Sequence, residues 1–185
     1  MTETIQTVDQ LRALYPEAKP MVRQKQLCAL DRHARRFVEL SPFVVLGTCG
    51  AAGNVDTSPR GGTPGFVRAD GEQTLLLPDL AGNNRLDSLQ NVVECPAVSL
   101  VFLIPGVDET LRVRGRAEIV VSEALRQTFE VDGKRPRSVL RVAVDAVYLH
   151  CSKALMQAGL WDPETRIDRA TLPSLAEMLR DQIGA

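Results

Sequence analysis

The sequence predicts a mainly β, α+β fold: an antiparallel sheet of six to seven strands that closes on itself, flanked by helices at both termini. Three observations carry this expectation. Between Phe43 and His150, apolar or alternating runs of strand length follow one another. The links between several of them, such as Ala51-Ala52-Gly53-Asn54, Asp70-Gly71 and Pro105-Gly106-Val107-Asp108, have the composition of tight turns. Hairpin-linked strands argue against an alternating β-α architecture with a parallel sheet. Outside this region the apolar spacing is helical. At 185 residues the chain is expected to form a single domain, 1–185, divided into N-terminal helices (1–40), a barrel (41–150) and C-terminal helices (151–185).

Each element has its own signal. Thr7 can cap a helix from Val8 to Tyr15, which Pro16 ends. A second helix is expected from Val22 to Leu40, with Leu27, Leu30, Ala34, Phe37 and Val38 on its apolar face and Arg32, Arg35 and Arg36 opposite. Phe43 to Gly50 is an almost unbroken apolar run, as in a strand covered on both faces. Val55 to Arg60 returns as a strand, and Pro59 places it at an edge or a bulge. Phe66 to Ala69 and Thr74 to Leu77 form a further hairpin. A helix is expected from Asn84 to Glu94, with Leu86, Leu89 and Val93 on one face, stopped by Cys95-Pro96.

Ala97 to Ile104 is an apolar strand. Leu111 to Val121 alternates Leu111, Val113, Gly115, Ala117 and Ile119 with Arg112, Arg114, Arg116 and Glu118, the pattern of a half-buried strand. A short helix from Ser122 to Phe129 precedes the last strand, Val139 to His150. Ser152 opens a short helix that Gly159 can end, and Thr171 and Pro173 open a terminal helix striped by Leu175, Met178, Leu179 and Ile183.

Composition excludes several classes. Apolar residues make up 44% and charged residues 24%, ordinary for a globular protein and wrong for a disordered chain. The net charge of −1 gives no basic excess for nucleic acid, although 18 of the 22 basic residues are Arg. No apolar run reaches the roughly 20 residues of a membrane span. The polar, acid-bearing start and four dispersed cysteines, Cys28, Cys49, Cys95 and Cys151, fit a cytoplasmic protein with no metal site.

Three clusters can carry chemistry. In Thr57-Ser58-Pro59-Arg60-Gly61-Gly62, Arg60 offers an anion-binding fork and the glycines allow close approach. The same stretch also reads as an ordinary strand exit with a solvated arginine. In Gly82-Asn83-Asn84-Arg85-Leu86-Asp87-Ser88, capping by Asn83 or Asn84 would put Arg85 in the first helical turn. A cation there opposes the helix dipole by about 0.3–1 kcal/mol unless an anion joins it, or unless Asp87 offsets the charge. The third cluster holds His150-Cys151-Ser152-Lys153 and Trp161, the single tryptophan, which reads more readily as a packing residue than as a ligand-facing ring. No nucleophile elbow, phosphate-binding loop or dinucleotide fingerprint is present, so the chemistry would be a cofactor's and the catalytic residues are not identified.

Asp56-x-Ser58-Pro59-Arg60-Gly61, Leu77-Pro78-Asp79 and Gly82-Asn83-Asn84-Arg85-Leu86-Asp87-Ser88-Leu89 resemble the pyridoxamine 5′-phosphate oxidase-like flavoproteins. Phe102-Leu103-Ile104-Pro105-Gly106, Leu111-x-Val113-x-Gly115-Arg116-Ala117, His150-Cys151-x-Lys153-Ala154-Leu155 and Leu160-Trp161-Asp162-Pro163 resemble one bacterial branch of them. The resemblance implies a split β-barrel and a homodimer with FMN at the subunit interface. It implies a phosphate grip at Arg85 with Asn83, Asn84 and Ser88, and flavin contacts from Thr57, Ser58, Pro59 and Arg60. Trp161 would pack near the flavin or close its pocket. The implied function is FMN-dependent oxidoreduction, with a small-molecule substrate or nicotinamide reductant. The alternative is a non-catalytic flavin or haem carrier on the same fold. Trp161 to Leu172 lacks the arginine-rich pattern of true pyridoxamine phosphate oxidases, which argues against vitamin B6 oxidation.

Overall fold

The computed structural model describes residues 4–80 and 82–184. Residues 1–3, 81 and 185, which include both ends of the expected 1–185 unit, lie outside the described residues. The strands are β1 (Phe43–Cys49), β2 (Val55–Gly61), β3 (Arg68–Ala69), β4 (Thr74–Asp79), β5 (Ala97–Ile104), β6 (Val107–Val120) and β7 (Ser138–His150). They form one seven-stranded antiparallel sheet in the order β2-β1-β5-β6-β7-β4-β3. The helices are α1 (Val8–Ala13), α2 (Pro20–Gln24), α3 (Arg32–Leu40), α4 (Asp87–Glu94), α5 (Glu123–Gln127), α6 (Lys153–Ala158) and α7 (Leu175–Ile183).

The sheet curls around one apolar core. Val44 and Leu46 of β1, Leu100 and Phe102 of β5, Val113 of β6, and Leu140 and Val142 of β7 are all essentially inaccessible. These residues recur at period two and cover the inner face of the curl, while Leu76, Phe129 and Val139 form a smaller buried cluster on the other face, beneath α5. The alternation in β6 is as the sequence predicts: Arg114, Arg116 and Glu118 are exposed while Val113, Gly115 and Ala117 are buried. The curl needs a close approach of β6 and β7. A Cβ on Gly115 would sit 2.0 Å from the Ala143 carbonyl oxygen. Beside it the β6–β7 register slips by one residue, a bulge that adds local twist. The sheet does not close, and the architecture is a split barrel.

The order of strands and helices follows the sequence, but β6 already begins at Val107, inside the expected turn, β3 is only Arg68–Ala69, and three helical expectations are corrected. The expected helix from Val22 to Leu40 is two helices, α2 and α3. Between them Leu27 makes a bridge to Val147, its N–H and carbonyl each paired at 2.9 Å. Asp31 then starts α3 by accepting from the Ala34 N–H at 2.8 Å. Pairing with the sheet outcompetes helical continuity there. Second, α4 begins at Asp87 rather than Asn84, with Leu86 at the N-cap position and no side-chain cap. Third, α4 buries Ser88, Asn91 and Val92, while Leu86 and Val93 are exposed. Polar contacts decide this orientation: Asn91 Nδ2 donates to Thr48 Oγ1 at 3.0 Å, and Ser88 Oγ donates to Asp56 Oδ2 at 2.7 Å.

The terminal helices are well signalled locally. Thr7 and Gln10 form a capping box on α1, Ser174 caps α7, and Gly159 ends α6 in the left-handed region. Yet α1, α6 and α7 bury no residue. The apolar stripe of Leu175, Leu179 and Ile183 on α7 faces open space. No helix among the described residues is long and apolar enough to cross a membrane.

Candidate functional site

The strand order leaves β2 at one end of the sheet and β4 next to the other, and the curl brings them face to face. A groove runs between them. It is lined by Ser58, Pro59, Arg60 and Gly61 of β2 and by Pro78 and Asp79 of β4. Leu80, Gly82, Asn83 and Asn84 of the following loop line it, with Leu86 and Leu89 at the start of α4, and Phe66 and Arg137. Two sequence clusters more than twenty residues apart therefore share one cavity.

The loop before α4 is locally bent. Asn84 has φ 59° and Leu86 φ 64°, both left-handed. Asn tolerates that region, whereas a leucine held there costs about 1–2 kcal/mol. Asn83 Oδ1 accepts from the Arg85 N–H at 3.1 Å, an Asx turn that tightens the bend. Strain of this kind concentrates where a loop is held for a ligand. The result is a helix start with no capping side chain, opening beside the groove, with asparagine amides on its wall.

Three arginines of the region are placed differently. Arg60 is largely covered; its Nη1 is 2.8 Å from Asp79 Oδ1 and its Nε donates to Ser58 Oγ at 3.1 Å. Arg85 is exposed, its Nε 2.8 Å from Asp87 Oδ2, and it does not line the groove. Placement of Arg85 in the first helical turn is thus corrected, since α4 starts at Asp87, and of the two offsets the sequence left open the structure shows Asp87. Arg137, which sequence reasoning missed, lies on the groove wall with Nη1 donating to Asn84 Oδ1 at 3.3 Å. Its signal in the sequence is the basic loop Lys134-Arg135-Pro136-Arg137 immediately before β7.

The structure brings together Ser58, Pro59, Arg60, Asn83 and Asn84. Thr57 is exposed on β2 and does not line the groove. Ser88 is buried and commits its hydroxyl to Asp56. Trp161 donates from Nε1 to the Val107 carbonyl at 2.9 Å, at the start of β6. That is the opposite rim from Arg137, because β6 and β7 pair along their length from Thr110–His150 to Val120–Val139. Within one chain Trp161 is therefore not part of the groove, and His150 shares its rim.

The donor set suits a phosphorylated, partly apolar ligand: guanidinium and amide groups are interleaved with Pro59, Phe66, Pro78 and Leu80 along the groove. Fold and groove together define a split barrel with a cleft between its two open edges. The chain belongs to the pyridoxamine 5′-phosphate oxidase family, which residues 30–151 match. Two solved structures show the same fold. HupZ of group A Streptococcus, as a histidine-to-alanine variant, is 15% identical with a TM-score of 0.55, over 65% of this chain and 99% of that one. A Lactobacillus delbrueckii protein named for pyridoxamine 5′-phosphate oxidase is 17% identical with a TM-score of 0.50, over 67% and 98%. A search of curated proteins found no match. The terminal arms, before residue 30 and after 151, lie outside the family match.

Proposed function

We propose that the protein is an FMN-dependent oxidoreductase acting on a small molecule or a nicotinamide reductant. The observation that supports it most is the groove itself: in a chain of this family, Ser58 and Asn84 line two adjoining cavities that share Arg60 and Asn83, beside a strained, uncapped helix start. When bound, FMN supplies hydride and single-electron transfer. The chain's residues supply position and charge. Asn83, Asn84 and Arg85 hold the phosphate, Pro59 flanks the ring, and Ser58 and Arg60 meet its polar edge. Arg85 reaches the phosphate by leaving Asp87, an exposed ion pair worth about 0.2–1 kcal/mol. A charge-assisted contact to phosphate returns about 1.5–3 kcal/mol. Ser88 acts indirectly in this reading, anchoring α4 to β2 through Asp56.

The protein is proposed to work as a homodimer with FMN at the interface, where the partner subunit's Trp161 closes the site. The terminal arms support an interface, since 15 of the 24 exposed large apolar residues among the described residues lie in residues 5–27 and 156–183. One spectrum tests the cofactor: purified protein should show oxidised-flavin bands and release FMN on heating. Turnover of NADH or NADPH above that of free FMN would establish catalysis; bound flavin without turnover would make the protein a carrier. A Soret band in place of flavin bands would overturn the FMN reading in favour of haem.

A further inference from the structure

The cations around the groove differ in what already neutralises them. Arg60 is paired with Asp79 and Arg85 with Asp87. Arg137 also lines the groove, and among the described residues no carboxylate lies within ion-pair distance of it. Its recorded side-chain partner is the neutral amide oxygen of Asn84. The groove therefore contains one guanidinium whose charge is not spent.

Arg137 is also held in place by more than its own length. Its backbone N–H donates to the Asp79 carbonyl at 3.2 Å, which fixes it against the end of β4. Its carbonyl accepts from Arg126 Nη1 at 3.1 Å. Arg126 is in turn paired with Glu123, Glu123 with Arg135, and Arg135 with Glu130 at 2.7 Å. α5 and the loop after it thus brace the backbone that presents Arg137, with Phe129 buried beneath them. A network of this kind restricts a long side chain's root before any ligand arrives, so less freedom is lost on binding.

We infer that Arg137 is the principal anion anchor of the groove and takes a phosphomonoester dianion together with the Asn84 amide. The inference rests on the flavin reading for its ligand, whose phosphate would meet Arg137 on one side and Arg85 on the other. Two charges on the phosphate call for two guanidinium forks, and the planar fork of arginine matches phosphate oxygens in a way lysine does not.

Flavin fluorescence titrations of the full-length protein test this with FMN and riboflavin as paired probes. Arg137→Gln should weaken FMN about 10- to 100-fold and leave riboflavin binding unchanged. Arg137→Lys should recover part of the FMN affinity, which also shows that the position tolerates substitution. Equal FMN affinity in the wild type and Arg137→Gln would overturn the anchor, as would parallel loss of FMN and riboflavin. If the wild type binds neither flavin, the FMN reading fails separately, and inorganic phosphate decides the anchor. A phosphate-dependent rise in melting temperature over chloride at equal ionic strength, lost in Arg137→Gln, would support it; no rise in the wild type would overturn it.

Discussion

Arg60 and Asp79 have four strands between them along the sheet, and their Nη1 and Oδ1 atoms are 2.8 Å apart. The pair spans the split of the barrel where β2 and β4 have no hydrogen-bonded partner for each other. Both side chains are mostly covered, 23% and 13% exposed, and Ser58 satisfies a further guanidinium N–H. The same contact that holds the sheet's curl forms the floor of the groove.

Removing one partner should therefore leave a covered charge unpaired. Asp79→Ala is expected to destabilise the protein by on the order of 3 kcal/mol. Arg60→Ala should do similar damage, and the double variant should lose less than the sum, with a coupling of about 1 kcal/mol or more. Urea unfolding of the four proteins measures this. Additive losses would mean that the pair does not clasp the barrel.

Arg85 should behave in the opposite manner. Arg85→Ala breaks only an exposed pair, so folding stability should change by less than about 1 kcal/mol. FMN affinity should fall by about 1.5–3 kcal/mol if Arg85 leaves Asp87 for the phosphate. Isothermal titration with FMN separates the two effects. Unchanged affinity would leave the phosphate to Arg137 and the asparagine amides.

Gly115 carries a backbone requirement rather than a chemical one. With the Ala143 carbonyl oxygen 2.0 Å from where a Cβ would stand, Gly115→Ala must push β6 from β7. A loss of at least about 1–3 kcal/mol is expected from overpacking. Thermal unfolding would show it as a lowered midpoint, and an unchanged midpoint would mean the strands can separate freely there.

The arms make a prediction about mass. Light scattering should give twice the chain mass, because short helices gain their stability from packing, and α1 and α7 bury no residue among the described ones. A strictly monomeric species at micromolar concentration would remove the interface from the proposed site.

The sequence by itself determined whatever depends on near neighbours. Period-two alternation places Val113 and Ala117 inside and Arg114 and Arg116 outside, because successive strand residues point to opposite faces. Thr7 and Gln10 cap α1, and Gly159 ends α6, through contacts spanning a few residues. Ser58, Arg60, Asn83 and Asn84 were legible as anion-binding types in their clusters. The tertiary structure decided the rest. A helical reading of Val22 to Leu40 fails because Leu27 pairs with Val147, a partner 120 positions away. Val93 of α4 faces outward while Leu89 packs against the core, because Ser88 and Asn91 turn inward to Asp56 and Thr48. Arg137 enters the groove, and Arg85 stays outside it, because sheet curl and local loop geometry place each charge, and these arise from long-range pairings that no short window of sequence contains.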